Sequence, residues 1–192
     1  MDQSMETTPE QDMFRDAVRS FCEREITREY VRECDSERRA PVELYEKLGE
    51  TGWLGINIAE EYGGAGGGAV EVAILLEELG RVFLDLSFWV FRAVTWGGLM
   101  IGTFGTDEQK RTLLPKVASG DLSVCFSLTE PEAGSDAAPI SPTATEDGDD
   151  PHPTPQKVYT PGTHPSEHPE AATRTDSSRH NHHGITNVLV DT

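Results

Sequence analysis

Eight of the twelve prolines in this 192-residue chain fall between Pro139 and Pro169, in a stretch with very few large aliphatic side chains. Proline has no backbone N–H and cannot sit inside a helix or a central strand without removing a hydrogen bond. This interval therefore divides what the chain can fold into. Residues 1–136 mix apolar and charged positions as a globular domain does, whereas 137–183 has little to bury and need not order. The length suits one domain or one and a half. The expected class is α+β: an all-α domain over 1–120, then an incomplete antiparallel β domain over 121–192.

The first part reads as helical. Thr8 and Gln11 make a capping-box pair with Pro9 at the first helical position. Phe14, Ala17, Val18, Phe21 and Cys22 then recur at the spacing of one buried helix face. A short second helix starts at Pro41, buries Leu44, Tyr45 and Leu48, and stops near Gly49 or Gly52. A third runs from Ala69 to Leu79 with Val70, Ile74 and Leu75 inward. Apolar residues from Leu86 to Ile101 predict a fourth. Thr106 caps a fifth, with Gln109 three residues on and Pro115 limiting its length. The most apolar run, 82–104, contains Asp85, Arg92 and Gly97-Gly98, which fits a buried helix rather than a membrane span.

After Gly120 the period changes. Leu122, Val124, Phe126 and Leu128 alternate with Asp121, Ser123, Cys125 and Ser127, the pattern of a half-buried strand that ends at Thr129. Residues 156–160 and 184–191 read as later strands of the same domain. Between them, Pro151, Pro153 and Pro155 at alternate positions would strip one strand edge of its amides.

Charge and cysteine content exclude several classes. The formal charge is −18 and no basic patch is visible, so nucleic acid is not an expected partner. Three cysteines, Cys22, Cys34 and Cys125, share no metal-ligand spacing and suit reduced thiols in a cytoplasmic protein. The first residues are acidic and polar, without the pattern of a signal peptide. His180, His182 and His183 cluster near the end, with His152, His164 and His168 upstream. No zinc spacing accompanies them, and a solvated loop is the better reading. Gly64-Ala65-Gly66-Gly67-Gly68-Ala69 can be fitted to a dinucleotide fingerprint, but that motif needs a preceding strand. A tight helix-to-helix connection fits this context better.

The motifs converge elsewhere. Leu128-Thr129-Glu130-Pro131 followed by Gly134-Ser135-Asp136 resembles the flavin-binding signature of the acyl-CoA dehydrogenase family. Upstream stand Lys47-Leu48-Gly49-Glu50-Thr51-Gly52-Trp53-Leu54-Gly55, then Glu60-Glu61-Tyr62-Gly63-Gly64-Ala65-Gly66-Gly67. Glu77-Glu78-Leu79-Gly80-Arg81, Gln109-Lys110 and Leu114-Pro115 follow, all in the order the family presents them.

The resemblance implies an FAD-dependent dehydrogenation of an acyl-CoA thioester between its α and β carbons, with hydride transfer to flavin N5. An oxidised flavin needs donors near N5 and its carbonyl edge, which backbone amides and a Thr hydroxyl supply. It implies that Phe126, Leu128 and Thr129 line the flavin and that Gly134 lets the backbone approach a phosphate. Ser135 would donate to the pyrophosphate or lie near the bound thioester. Tyr159 would pack on the flavin, with Thr160 beside it, and the glycine-rich loop would help shape the acyl pocket. An electron-transfer acceptor is the expected redox partner.

Two departures qualify this. Pro161 stands where the family usually has a hydroxyl residue bonding the flavin near N5, which would lower FAD affinity. The general base of the family lies in a C-terminal helical bundle, and neither Glu130 nor Glu132 corresponds to it. Two readings follow: a flavoenzyme whose bundle comes from a separate chain, or a non-catalytic truncated remnant.

Overall fold

The computed structural model describes residues 6–140, 156–160, 168–176, 178–179 and 181–190. The chain divides into two compact units, Met1–Leu122 and Ser123–Thr192. It is an α+β protein, with helices in the first unit and one three-stranded sheet in the second.

In the helical unit α1 spans Pro9–Glu25, and its capping box is formed as the sequence predicts: Thr8 accepts from the Gln11 amide while Gln11 accepts from the Thr8 amide. Val18, Phe21 and Cys22 are buried, and Phe14 is partly so. Ala17 faces outward, because the buried stripe of α1 is narrower than its apolar spacing suggests. Trp53 meets the edges of both Phe14 and Phe21, with centroids 5.8 and 5.4 Å away.

A helix not anticipated, α2 (Arg28–Glu37), follows. Its sequence buries only Cys34, so periodicity was silent, although Thr27 supplies an N-cap by accepting from the Tyr30 amide. Then α3 (Val42–Glu50) buries Leu44, Tyr45 and Leu48 as expected. Two 3-10 turns lead to α4 (Ala69–Gly80), where Ile74 and Leu75 are buried. Val70, expected inside, is 47% exposed because it lies in the first turn of α4 on the solvent side.

The next helix is not continuous α. It runs as α5 (Leu84–Arg92), a π-helical stretch Ala93–Met100, then α6 (Ile101–Phe104). Gly97 sits where a Cβ would lie 2.7 Å from a Val117 methyl, so the absent side chain permits the close approach of the following helix. That helix is α7 (Asp107–Ser119), with Thr106 and Gln109 forming its capping box. Pro115 lies inside α7 rather than ending it. A buried face of Leu114, Val117 and Ala118 carries the helix past the lost hydrogen bond.

The sheet unit has order β1 (Val124–Ser127), β2 (His168–Arg174) and β3 (Ile185–Leu189). It is mixed rather than wholly antiparallel: β1 pairs parallel with β2, which pairs antiparallel with β3. The forty residues between β1 and β2 are long enough for the crossover a parallel pair requires. β1 is also covered on both faces, since Cys125 and Ser127 are buried along with Val124.

β2 was not anticipated. His168-Pro169-Glu170-Ala171-Ala172-Thr173-Arg174 has weak strand propensity, and its pairing on both sides overrides that preference. Residues 156–160, expected as a strand, form none. Val158 instead donates a backbone hydrogen bond to the Thr129 carbonyl at 2.9 Å. Pro151, Pro153, Pro155, Pro161, His152, His164 and His180 lie outside the described residues.

Candidate functional site

The glycine-rich loop is committed to the protein itself. The amides of Ala65, Gly66 and Gly67 donate to the carbonyls of Gly55, Ile58 and Ile56 at 3.0, 2.8 and 2.7 Å. A Cβ on Gly64 would stand 2.1 Å from the Ile58 carbonyl oxygen, so only glycine allows this backbone approach. Amides so engaged cannot cradle a phosphate.

The strand-end motif is built differently. β1 leads to Leu128 and Thr129, and the chain then reverses at Pro131-Glu132. Glu130 and Ala133 exchange both backbone hydrogen bonds, at 3.0 and 3.1 Å, to close that reversal. Proline at its first central position presets the turn's φ. The reversal delivers Gly134, Ser135 and Asp136 to an exposed stretch. A Cβ at Gly134 would meet nothing within 4 Å, so the space beside it is open.

Phe126 and Leu128 are partly buried and pack on a small core of Ala133, Ile140 and Ala172. Arg174 ties that core's loop down, donating from Nε to the Ile140 carbonyl at 3.1 Å and from Nη2 to the Ala138 carbonyl. Thr129 is partly buried and receives the Val158 amide on its carbonyl. Tyr159 and Thr160 are thereby carried to the same strand end. Thr160 is partly buried, whereas Tyr159 is 88% exposed with a left-handed φ of 54°.

Sequence reasoning missed two groups here. Lys157 donates to the Leu128 carbonyl at 3.3 Å and to Glu130 Oε1 at 2.9 Å, in a pair whose side chains are 15% and 4% exposed. Its signal was its scarcity, as the single lysine after residue 116. Glu170, in the middle of β2, is 5% exposed, and its Oε2 has no hydrogen-bond partner. In register it stands between Phe126 and Leu189, and burial pushes its carboxyl up to about 7. Nothing in the sequence marked it as inward before β2 was known.

Cys22, Cys34 and Cys125 are all buried free thiols, and burial pushes Cys22 up to about 11. Among the described residues, no three His, Cys, Asp or Glu side chains gather as metal ligands, and His182 and His183 are exposed. Also among the described residues, no helix is long and apolar enough to cross a membrane.

A helical unit with these caps, joined to a strand that ends in this turn, defines a known class. The profile of the acyl-CoA dehydrogenase N-terminal domain matches residues 8–121. The chain belongs to the acyl-CoA dehydrogenase family. It is 38% identical over 147 residues to a probable acyl-CoA dehydrogenase, YngJ, of Bacillus subtilis, covering 77% of this chain and 38% of that protein. The solved acyl-CoA dehydrogenase of Geobacillus kaustophilus superposes with a TM-score of 0.83 at 32% identity, covering 97% of this chain and 49% of that one. A chain of the ChsE4-ChsE5 complex of Mycobacterium tuberculosis gives 0.78 at 32% identity, over 99% of this chain and 48% of that one. The chain thus spans about half or less of the length of these relatives.

Proposed function

We propose that the chain forms the N-terminal and flavin-facing parts of an FAD-dependent acyl-CoA dehydrogenase that oxidises an acyl-CoA thioester between its α and β carbons. The observation that carries this reading is the Val158-to-Thr129 hydrogen bond, which brings 156–160 to the end of β1 beside the family's signature. The residue types suit the cofactor: Thr129 and Ser135 stand on either side of a turn with open space at Gly134, and Thr160 lies two residues beyond the Val158 that bonds Thr129. Bound FAD would supply the hydride acceptor. Phe126 and Leu128 would wall the ring, Thr129 and Thr160 would bond its polar edge, and Ser135 would donate to the pyrophosphate or the nearby thioester. Tyr159 would have to turn from its exposed position to stack on the ring.

The general base, on this reading, comes from residues equivalent to the half of the relatives this chain does not cover, in a separate chain or a longer protein. A two-component complex such as ChsE4-ChsE5 is a precedent for partnered subunits in the family. An electron-transfer acceptor would reoxidise the flavin, and three reduced thiols suit a cytoplasmic setting.

One observation favours the second reading, a non-catalytic remnant. Glu170 puts a buried carboxyl, whose Oε2 has no hydrogen-bond partner among the described residues, in the central strand of the sheet that would face the flavin. Titration of the purified chain with FAD, followed by fluorescence polarisation, separates the two. Saturable binding is the expected result. No binding with helical circular dichroism retained would overturn the flavoenzyme reading in favour of the remnant.

A further inference from the structure

The geometry points to Lys157 as a positioning residue that holds the flavin-facing edge together, an assignment that rests on the flavin reading above. Three pieces of chain meet at its ammonium. β1 stops at Ser127, and the next carbonyl, that of Leu128, accepts from Nζ at 3.3 Å. Glu130, which closes the Pro131-Glu132 reversal through its backbone, accepts from the same Nζ at 2.9 Å through Oε1. Lys157 itself belongs to the segment 156–160, and the residue after it donates to the Thr129 carbonyl.

One side chain therefore ties the strand end, the turn that delivers Gly134 and Ser135, and the segment that carries Tyr159 and Thr160. These are the groups assigned to the flavin ring on one side and its phosphates on the other. The segment 156–160 forms no strand and the reversal is closed by the Glu130–Ala133 bridge, so neither belongs to the ladder of the sheet. The pair is also nearly dry, with Glu130 at 4% and Lys157 at 15% exposure, so the attraction is screened far less than at a surface. An ammonium suits the task because its three donors point apart and can serve acceptors on different segments. Without it, Glu130 loses the ammonium that offsets its charge in this buried setting, and the turn it closes is loosened.

The test titrates FAD into the full chain and into K157M, K157R and the paired E130Q/K157M variant. Hydrogen exchange at the Val158 amide is followed without FAD. K157M is expected to weaken FAD binding by about tenfold or more and to alter the visible circular dichroism of the flavin bound at saturation. K157R, which keeps the charge and both donors, recovers most of the affinity. E130Q/K157M removes the buried charge together with its cation and recovers stability, but not affinity. The Val158 amide exchanges about tenfold faster in K157M.

Wild-type affinity in K157M, or full recovery in E130Q/K157M, would overturn the positioning role, as would unchanged exchange at Val158. If the unsubstituted chain binds no FAD, the flavin reading itself is overturned. Exchange at Val158 then decides alone whether Lys157 holds the segment.

Discussion

Glu78 in the helical unit and Glu170 in the sheet unit are both buried, and the two carboxyls are treated in opposite ways. Glu78 on α4 is 3% exposed. Its oxygens meet Arg15 at 2.8 Å, Arg19 at 2.9 Å and Arg81 at 3.3 Å. Burial alone would raise its pKa, but the hydrogen bonds from Arg19 and Arg15 outweigh that and hold it below the usual carboxylate range. Glu170 on β2 is 5% exposed, its Oε2 meets no hydrogen-bond partner among the described residues, and burial pushes it up to about 7. The charge in the helical unit is neutralised by residues at helical spacing: Arg15 and Arg19 are one turn apart on α1, and Arg81 is three residues beyond Glu78. At Glu170, burial instead favours the protonated form. The fold thus supplies cations where Glu78 needs them, while at Glu170 the sequence of β2 conflicts with its buried place in the sheet.

The cores differ in the same direction, and the largest expected effect comes from there. The helical unit buries Leu48, Leu54, Leu75, Leu79 and Leu86 completely, whereas the buried cluster of the sheet unit is Ala133, Ile140 and Ala172. Leu75→Ala is expected to cost about 2–5 kcal/mol in the helical unit, from lost transfer energy and the cavity left behind. Urea denaturation read by tryptophan fluorescence reports on this unit alone, because Trp53, Trp89 and Trp96 all lie within it. A loss well under about 1 kcal/mol would mean that its packing is loose.

Glu170→Leu should act in the opposite sense on the other unit. The folded sheet holds this carboxyl near 7, above its ordinary 4.5. A group raised on folding contributes fully below the unfolded value, and that contribution is lost as pH rises through the folded one. The sheet should therefore weaken between about pH 4.5 and 7 and then level off. The leucine variant should be flat across that range and more stable at pH 8 by roughly 3 kcal/mol, at about 1.4 kcal/mol per tenfold shift in ionisation. Hydrogen exchange of the β2 and β3 amides measures both curves. An unsubstituted chain with no pH dependence there would show that Glu170 reaches water or a partner in solution.

The same contrast explains how much was legible in the sequence. Helix caps are local, so Thr8 with Gln11 and Thr106 with Gln109 could be read directly, and both form. α2 was missed because its ten residues bury one side chain, and Pro115 misled because packing of Leu114 and Val117 outweighs one lost hydrogen bond. The sheet was read worst. β2 exists through its partners on either side, and neither its pairing nor the burial of Glu170 has any local signature. The signature 127–136 was legible as a motif, but the link from Lys157 to Leu128 and Glu130 spans nearly thirty residues and appears only once the chain is folded.

A smaller effect sharpens the local half of this argument. Thr106→Ala removes the side-chain acceptor for the Gln109 amide at 3.2 Å. It is expected to cost about 1 kcal/mol. The loss should appear first as faster exchange at the α7 amides nearest the cap. A cost of zero would mean that the packing of α7, and not its cap, fixes where the helix begins.

The smallest expected change in stability is also the most discriminating for function. Tyr159 holds a φ of 54° while 88% exposed, a conformation that side chains other than glycine adopt at a cost of about 1–2 kcal/mol. Glycine would relieve that strain but lose up to about 1 kcal/mol more backbone entropy on folding. Tyr159→Gly should therefore stabilise the sheet unit by less than about 1 kcal/mol, read as slower exchange at Val158. If the strained tyrosine is kept for an aromatic contact with the flavin, the same substitution weakens FAD binding while Tyr159→Phe leaves it unchanged. Opposite signs for stability and affinity at one residue would mark the strain as functional. A glycine variant that is more stable and binds FAD equally well would show that the strain at Tyr159 serves no contact with the flavin.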